Sequence, residues 1–445
     1  MSEAHHTEAF LLRVILQLAV IIAAARLAGN FSRRLGHPMV VGEIIAGLIL
    51  GPSLLGRLLP GFSHALFPPE TAPVINIISQ LGLILLMFLI GLEFDFGHVR
   101  THGKTAALVA VCGIVVPFAL GLLLGRWMSP YFPQVNGTAF SLLLATALSI
   151  TAIPVLGRVL VEFNIHRTEI GTLTITAAAI DDAIGWILLA VVSAIIGAQF
   201  DPGATVRMVV ATMVFGVAMC LVVRPLCIRG IRMAMAHGKG HLSLDALAVV
   251  FTAVFACAAV TNVIGIFSVF GAFVLGAVLY DQDEFREAVF QRLKDFVTAF
   301  FLPVFFTYTG LHTNIGSLGT GIMWLFLAAI LAASFVGKFT GCTLAARLSG
   351  LKPRQAACVG IMMNTRGLMG LIAANVGLQM HAIPQEVYSM LILMCVFSTA
   401  LLSPVLRRLM IGTELEVPFH ASEFVRETVR RAEREERGEL LPRKS

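Results

Sequence analysis

Apolar runs follow one another along almost the whole chain, each about 20 residues long and so able to cross a bilayer as a helix. Short polar breaks divide them into thirteen segments, some of them short or interrupted. They span 10–29, 38–56, 73–95, 104–126, 138–161, 169–197, 205–226, 243–263, 265–281, 295–312, 319–348, 354–379 and 384–409. The pattern predicts an all-α polytopic membrane protein with thirteen transmembrane helices. From residue 410 onward it changes to "SEFVRETVRRAEREERGELLPRKS", dense in both charge signs. A transmembrane domain over 1–410 is therefore expected to be followed by a charged tail over 411–445, either flexible or lying as a helix on the membrane surface. No nucleotide-binding domain is predicted.

Positive residues are retained on the cytoplasmic side of a membrane, which tests the helix count independently. One set of alternate connections carries Arg33, Arg34, Arg100, Lys104, Arg158, Arg167, Arg224, Arg229, Arg232, Lys239, Arg286, Arg292, Lys294, Arg347, Lys352 and Arg354. The opposite set, with the N-terminus, carries only Arg13, Arg57, Arg126 and Arg207. Thirteen spans with the N-terminus outside and the C-terminus in the cytoplasm produce this asymmetry. A miscount by one in mid-chain would scramble it.

The chain also repeats itself. "VVGEIIAGLILG" at 40–51 matches "SVFGAFVLGAVL" at 268–279, so that Gly42 and Gly47 answer Gly271 and Gly276. "LMFLIGLEFDF" at 86–96 ends as "VFFTYTGLHTNI" at 304–315 does, with Gly91 and Leu92 answering Gly310 and Leu311. A first repeat over about 10–197 and a second over about 243–409 are then joined by a linking helix at about 205–226. Seven helices separate equivalent positions, so the two six-helix copies enter the membrane from opposite sides. Inverted repeats of this kind are characteristic of secondary transporters.

Composition narrows the class further. Hydrophobic residues make up 57% and charged residues 13% of the 445, with a mean hydropathy of +0.87, which excludes a water-soluble surface for most of the chain. The net charge of +6 comes from basic residues scattered in short loops, where it sets orientation and gives no footprint for nucleic acid. The seven cysteines stand singly, without metal-ligand spacing, and read as small packing residues. "MSEAHHTEAF" lacks a basic n-region, and no small-residue cleavage site follows, so a removed signal peptide is not predicted.

The chemistry concentrates in "TAAAIDDAIGWILLA" at 176–190. Asp181 and Asp182 fall near the middle of a membrane span, where each charge costs about 2.5 to 3.5 kcal/mol on insertion scales. Adjacent helix positions point about 100° apart, so the two carboxylates cannot share one environment. One can be paired while the other exchanges protons for cations; the alternative is a pair held only by hydrogen bonds. Lys338, in "SFVGKFTGC", is the expected partner of one aspartate, since a desolvated lysine can lose its proton whereas arginine stays charged. Snorkelling to the interface is its alternative. Arg366, in "MMNTRGLMGL", is a permanent structural or gating charge. Two spans look unfit for continuous helix: 138–161, with Ser149 and Thr151 just before Pro154, and 354–379, with Asn364, Thr365, Arg366 and Gly367 at comparable depth. Broken midplane helices expose carbonyls that coordinate a cation, and Ser149 and Thr151 can add hydroxyl oxygens unless their own backbone satisfies them. Glu43 reads equally as a membrane-embedded or a helix-end residue, Glu93 and Asp95 as residues at a cytoplasmic helix end that are solvated or paired in the loop, and Arg158 and Glu162 as a local pair.

Taken together, "ALSITAIPVLGRVL", "AAAIDDAIGWILLAV", "LMFLIGLEFD", "FLPVFF" and "MNTRGL" resemble the second branch of the monovalent cation:proton antiporter superfamily, the sodium/proton antiporters and their potassium-transporting relatives, over about residues 10–410. The resemblance implies two inverted six-helix repeats with two broken crossing helices, a homodimer, a dimerisation panel and a core that moves past it like an elevator. It implies that Asp182 binds a proton or a cation in alternation, and that Asp181 pairs with Lys338. Two aspartates in this motif imply electrogenic sodium or lithium exchange, with potassium/proton exchange as the alternative. The setting implied is a bacterial-type inner membrane, with sodium exported by the inward proton gradient and no cofactor. Ala177 stands where a glutamate is expected in the pattern, which leaves Arg366 without an acidic partner. Two other classes weigh less: an intramembrane aspartyl protease would draw its aspartates from separate helices, and a passive channel would have no use for titratable residues at a midplane break.

Overall fold

The computed structural model describes residues 3–35, 37, 39–93, 103–151, 156–157, 159–160, 163–197, 202–237, 243–265, 268–319 and 321–422. Among these there is no strand. The helices that matter here are α1 (Glu3–Arg34), α2 (Met39–Leu50), α3 (Ala72–Glu93), α4 (Gly103–Met128), α5 (Gly137–Ser149), α6 (Glu169–Gly197) and α7 (Pro202–Ala218). They continue with α8 (Leu244–Ile264), α9 (Ser268–Val278), α10 (Leu302–Leu311), α11 (Gly321–Leu348), α12 (Pro353–Met363), α13 (Leu368–Gln379) and α14 (Gln385–Leu409). Ten helical stretches are long and apolar enough to cross a membrane, and three shorter apolar helices accompany them among the described residues. Each falls in one of the thirteen segments read from hydropathy.

Three elements run differently from the simple pattern. The span at 354–379 is two helices, α12 and α13, because "NTRG" interrupts the backbone ladder between them. The span at 138–161 stops being helical at Ser149, and Ile150 turns extended with φ −83° and ψ 139°; Pro154, Arg158 and Glu162 lie outside the described residues. The segment at 295–312 begins earlier, with an amphipathic helix Asp283–Phe296 that leads through a π-helical turn, Val297–Phe301, into α10. Hydropathy alone misses it, since only Phe285, Ala288, Val289 and Leu293 are buried while its other faces are charged.

Lipid exposure follows the same logic. Val206, Val210, Met213, Val214 and Val217 along α7, and Leu11, Leu12, Ile15 and Leu16 along α1, are largely exposed apolar side chains. In water such continuous faces would be costly, whereas in a bilayer they are the solvent-matched surface.

Packing sorts the helices into two groups. α1, α2, α3, α8, α9 and α10 pack on one another, with α2 on α10 and α3 on α9 at its centre. α4, α5, α6, α11, α12, α13 and α14 form the second, centred on α4 against α11. Glycines set the closest approaches. A Cβ on Gly47 of α2 would stand 2.7 Å from the Gly310 Cα of α10, and one on Gly91 of α3 would stand 3.0 Å from the Gly276 Cα of α9. These are four of the six glycines that the two sequence copies place in register. Gly42 meets the Ala28 backbone of α1, and its counterpart Gly271 meets the Cys257 backbone of α8.

Candidate functional site

Where α5 and α12 stop, their ends meet in the middle of the second group. Asn136 caps the start of α5, its side chain accepting from the Thr138 and Ala139 amides at 3.0 and 3.1 Å. The far end is closed by no such local cap. There the chain extends through Ile150 to Thr151, whose hydroxyl donates to the Met363 carbonyl at the end of α12, at 2.9 Å. The last carbonyls of α5 carry the negative end of its dipole, and two buried cations meet them. Lys338 Nζ of α11 donates to the Ser149 carbonyl. Arg366 donates to the Ile150 carbonyl at 2.7 Å and to those of Ala147 and Ser334 at 3.4 Å each. Its own carbonyl accepts from the Thr399 hydroxyl of α14. Arg366 thus sets its two terminal nitrogens on main-chain oxygens, which holds a fully buried guanidinium without an acidic residue, while its Nε has no partner among the described residues.

The two aspartates part company here. Asp181 Oδ2 lies 2.5 Å from Lys338 Nζ, both side chains fully buried, and its Oδ1 accepts from the Thr151 amide at 3.2 Å. The floor under the pair is Gly113 of α4, where a Cβ would stand 3.6 Å from Asp181 Oδ2, 3.7 Å from Lys338 Cε and 2.6 Å from Cys342 Sγ. Asp182 is 1% exposed, and its Oδ1 has no hydrogen-bond partner among the described residues. One turn further on, Trp186 packs edge-on to Phe270 at 5.2 Å and stacks on Phe273 at 5.5 Å, both from α9 of the other group. The face of α6 that carries Asp182 and Trp186 therefore turns toward the junction of the two groups.

Most of the residues singled out from sequence meet at this crossing. Asp181, Asp182, Ser149, Thr151, Lys338, Asn364, Thr365 and Arg366 are all buried there. The hydroxyls are used unevenly. Ser149 Oγ bonds back to Thr146 O at 2.9 Å and Thr365 Oγ1 to Met362 O at 2.6 Å, whereas Thr151 bridges the two breaks. Gly113, Trp186, Ser334, Met363 and Thr399 were not foreseen. Of these only Trp186 carries a signal in the sequence, its spacing of four from Asp182; Thr399 acts through a hydroxyl like that of many other buried threonines, and the others act through backbone or through absent atoms.

A buried carboxylate pair on one helix, a lysine on another, an arginine in the break between α12 and α13, and two interrupted helices that meet there suit the movement of a small cation and a proton across an apolar barrier. A model of the family described as "Sodium/hydrogen exchanger, transmembrane" matches residues 19–411. The chain belongs to the sodium/hydrogen exchanger family. It is a monovalent cation/proton antiporter, a multi-pass membrane transporter and not an enzyme, with monovalent cations and protons as its substrates. The antiporter is 37% identical over 400 residues to the Na(+)/H(+) antiporter NhaS4 of Synechocystis sp., covering 88% of this chain and 96% of that one. It is 35% identical over 393 residues to Cation/H(+) antiporter 18 of Arabidopsis thaliana, where 88% of this chain covers 48% of the plant protein. Its fold is similar to that of the sodium proton antiporter MjNhaP1 from Methanocaldococcus jannaschii, with a TM-score of 0.55 at 17% identity over 91% of this chain and 98% of that one.

Proposed function

We propose that the antiporter exchanges sodium, or lithium, for protons by alternating access, with Asp182 carrying either the cation or a proton and Asp181 held by Lys338. The observation that carries this reading is the contrast between the two carboxylates. Asp181 is matched on both oxygens, whereas Asp182, one residue away and as deeply buried, keeps Oδ1 without a partner. An unmatched buried carboxylate is stable only when a proton or a cation completes it, so the site favours one occupant or the other. Transport then needs this site to face each side of the membrane in turn.

The same reading takes the thirteen apolar segments as thirteen crossings in two inverted repeats, with the crossing breaks of the second group at their centre. The mutual contacts of Gly47 with Gly310 and of Gly91 with Gly276 support that relation. It places the N-terminus outside and the C-terminus in the cytoplasm of a bacterial-type inner membrane, takes the second helix group as the moving core, and assembles the chain as a homodimer through the first. Exchange is proposed to be electrogenic, because Lys338 offers a second protonatable group beside the carboxylates.

The test is cation-dependent proton flux in proteoliposomes at clamped membrane potential, read with an internal pH dye. Sodium should collapse an imposed proton gradient with net charge movement, and Asp182→Asn should reduce the rate by at least about a hundredfold. Coupled exchange by Asp182→Asn would remove the assigned role. Flux driven by potassium and not by sodium would retain the mechanism and replace the cation.

A further inference from the structure

A whole carboxamide at the crossing is left without a partner, beside the single atoms Ser334 Oγ and Arg366 Nε. Asn364 is 1% exposed, and neither Oδ1 nor Nδ2 makes a hydrogen bond among the described residues. Its neighbours have partners, Arg366 Nε excepted. Thr365 Oγ1 bonds to Met362 O, Arg366 to three carbonyls, and Thr151 to Met363 O. Even the backbone amide of Asn364 is taken, by Gly360 and Ile361 carbonyls, so its carboxamide is not drawn into capping α12. An amide has two donors and a carbonyl oxygen, and a protein interior rarely leaves all of them empty.

Its place in the bond network makes the vacancy informative. The carbonyl of Met363, the residue before it, accepts from Thr151 Oγ1, and the Thr151 amide donates to Asp181. Two hydrogen bonds thus join the peptide preceding Asn364 to the carboxylate adjacent to Asp182, which also carries an unpartnered oxygen. The cations at the crossing, Lys338 and Arg366, already have oxygen partners. The oxygens left over are Asp182 Oδ1, Asn364 Oδ1 and the hydroxyl of Ser334, all hard donors of the kind an alkali cation prefers.

Resting on the assignment of Asp182 as the exchanging carboxylate, we infer that Asn364 supplies a neutral oxygen ligand to the transported cation and sets which cation the antiporter prefers. A carboxamide does not titrate, so it favours the cation-bound form without competing for the proton. Its distance from the carboxylate oxygen fixes the cage size, and a small cage favours a small dehydrated cation. When the proton replaces the cation, Nδ2 remains available as a donor to water or to the carboxylate. Asp182 then decides whether a cation or a proton is carried, and Asn364 decides which cation.

The experiment compares wild type, Asp182→Asn, Asn364→Leu and Asn364→Ser in proteoliposomes. It reads the half-saturating concentrations of sodium, lithium and potassium chlorides at fixed pH, with thermal unfolding of each variant in detergent. Asn364→Leu, of similar size but without the polar atoms, should raise the half-saturating sodium concentration about tenfold and change the sodium-to-potassium ratio, while its melting temperature stays at or above wild type. Asn364→Ser, which keeps one oxygen on a shorter arm, should fall between the two and shift the preference toward the larger cation. Unchanged half-saturating concentrations in a folded Asn364→Leu or Asn364→Ser would overturn the inference and leave the amide a water-filled structural feature. A fall in maximal rate with all cation ratios unchanged would overturn it equally. Wild-type exchange that survives Asp182→Asn would strike at the underlying assignment instead, so the two failures are distinguishable.

Discussion

Asp181 and Asp182 are neighbours in sequence, yet the structure gives them opposite surroundings. Asp181 is held on one oxygen by Lys338 at 2.5 Å and on the other by the Thr151 amide. Removing one partner of such a pair strands a charge in an apolar interior, a loss of about 3 to 5 kcal/mol, whereas replacing both partners by neutral groups of similar shape is often neutral. Lys338→Met should therefore lower the melting temperature in detergent markedly, and Asp181→Asn combined with Lys338→Met should recover most of the loss. If Lys338→Met melts as wild type does, the ion pair contributes nothing to stability and its place at the end of α5 is the relevant one. This pair was legible in the sequence because ionisable residues inside apolar spans are rare, so Lys338 had few competitors. The partner of Arg366 was not legible. It consists of carbonyls of Ala147, Ile150 and Ser334, and main-chain oxygens carry no sequence signature.

At the scale of helices, small residues decide how closely backbones pass, since van der Waals contact replaces the hydrophobic effect between helices in lipid. α2 crosses α10 where Gly47 meets Gly310, and α3 crosses α9 where Gly91 meets Gly276. A methyl at any of the four overlaps a neighbouring backbone, which cannot rotate away as a side chain can. Gly47→Ala and Gly276→Ala should each cost about 1 to 3 kcal/mol, seen as lower melting temperature and broadened size-exclusion profiles. Gly216→Ala, on lipid-facing α7 with nothing within 4 Å of the added carbon, should be neutral or stabilising by up to about 1 kcal/mol. Equal effects at Gly216 and Gly47 would mean that close packing is not the reason for glycine here. The repeat singles out these positions by matching Gly47 to Gly276 and Gly91 to Gly310, but the contacts run across that match, Gly47 with Gly310 and Gly91 with Gly276, which the sequence does not show. The helix breaks were also legible, through "SITAIP" and "NTRG", where a proline or a run of polar residues in an apolar span signals lost backbone bonds. The amphipathic helix Asp283–Phe296 was not, because its alternating charge lowers the mean hydropathy of a window that its buried face alone would raise.

Across the whole molecule, the two helix groups differ in what ties them to the C-terminal segment of the chain. The segment from 411 to 422 reads as the start of a charged tail, yet it folds back onto the group that holds the crossing. Glu414 accepts from the Ile170 amide at the start of α6 at 2.7 Å, Arg354 of α12 donates to Ile411 O at 2.8 Å, and Phe419 packs edge-on to Phe163 at 5.1 Å. Leu415 is fully buried against this group. The carboxylate at an amino terminus of α6 also complements its dipole. The charged stretch after 422 dominates the composition of this region, which hid a folded twelve-residue segment ahead of it that buries Leu415 and Ser422. Their contacts reach both α6, which bears the aspartates, and α12, which ends at the break, so the segment clamps two elements whose relative position defines the site. Leu415→Ala should cost about 2 to 5 kcal/mol by the cavity it opens, and it should lower exchange at temperatures where the variant is still folded, because α6 and α12 lose a common anchor. Val417→Ala, at a side chain that is 78% exposed in the same segment, should change neither. Wild-type melting and exchange in Leu415→Ala would show that the segment rests on the core without bracing it.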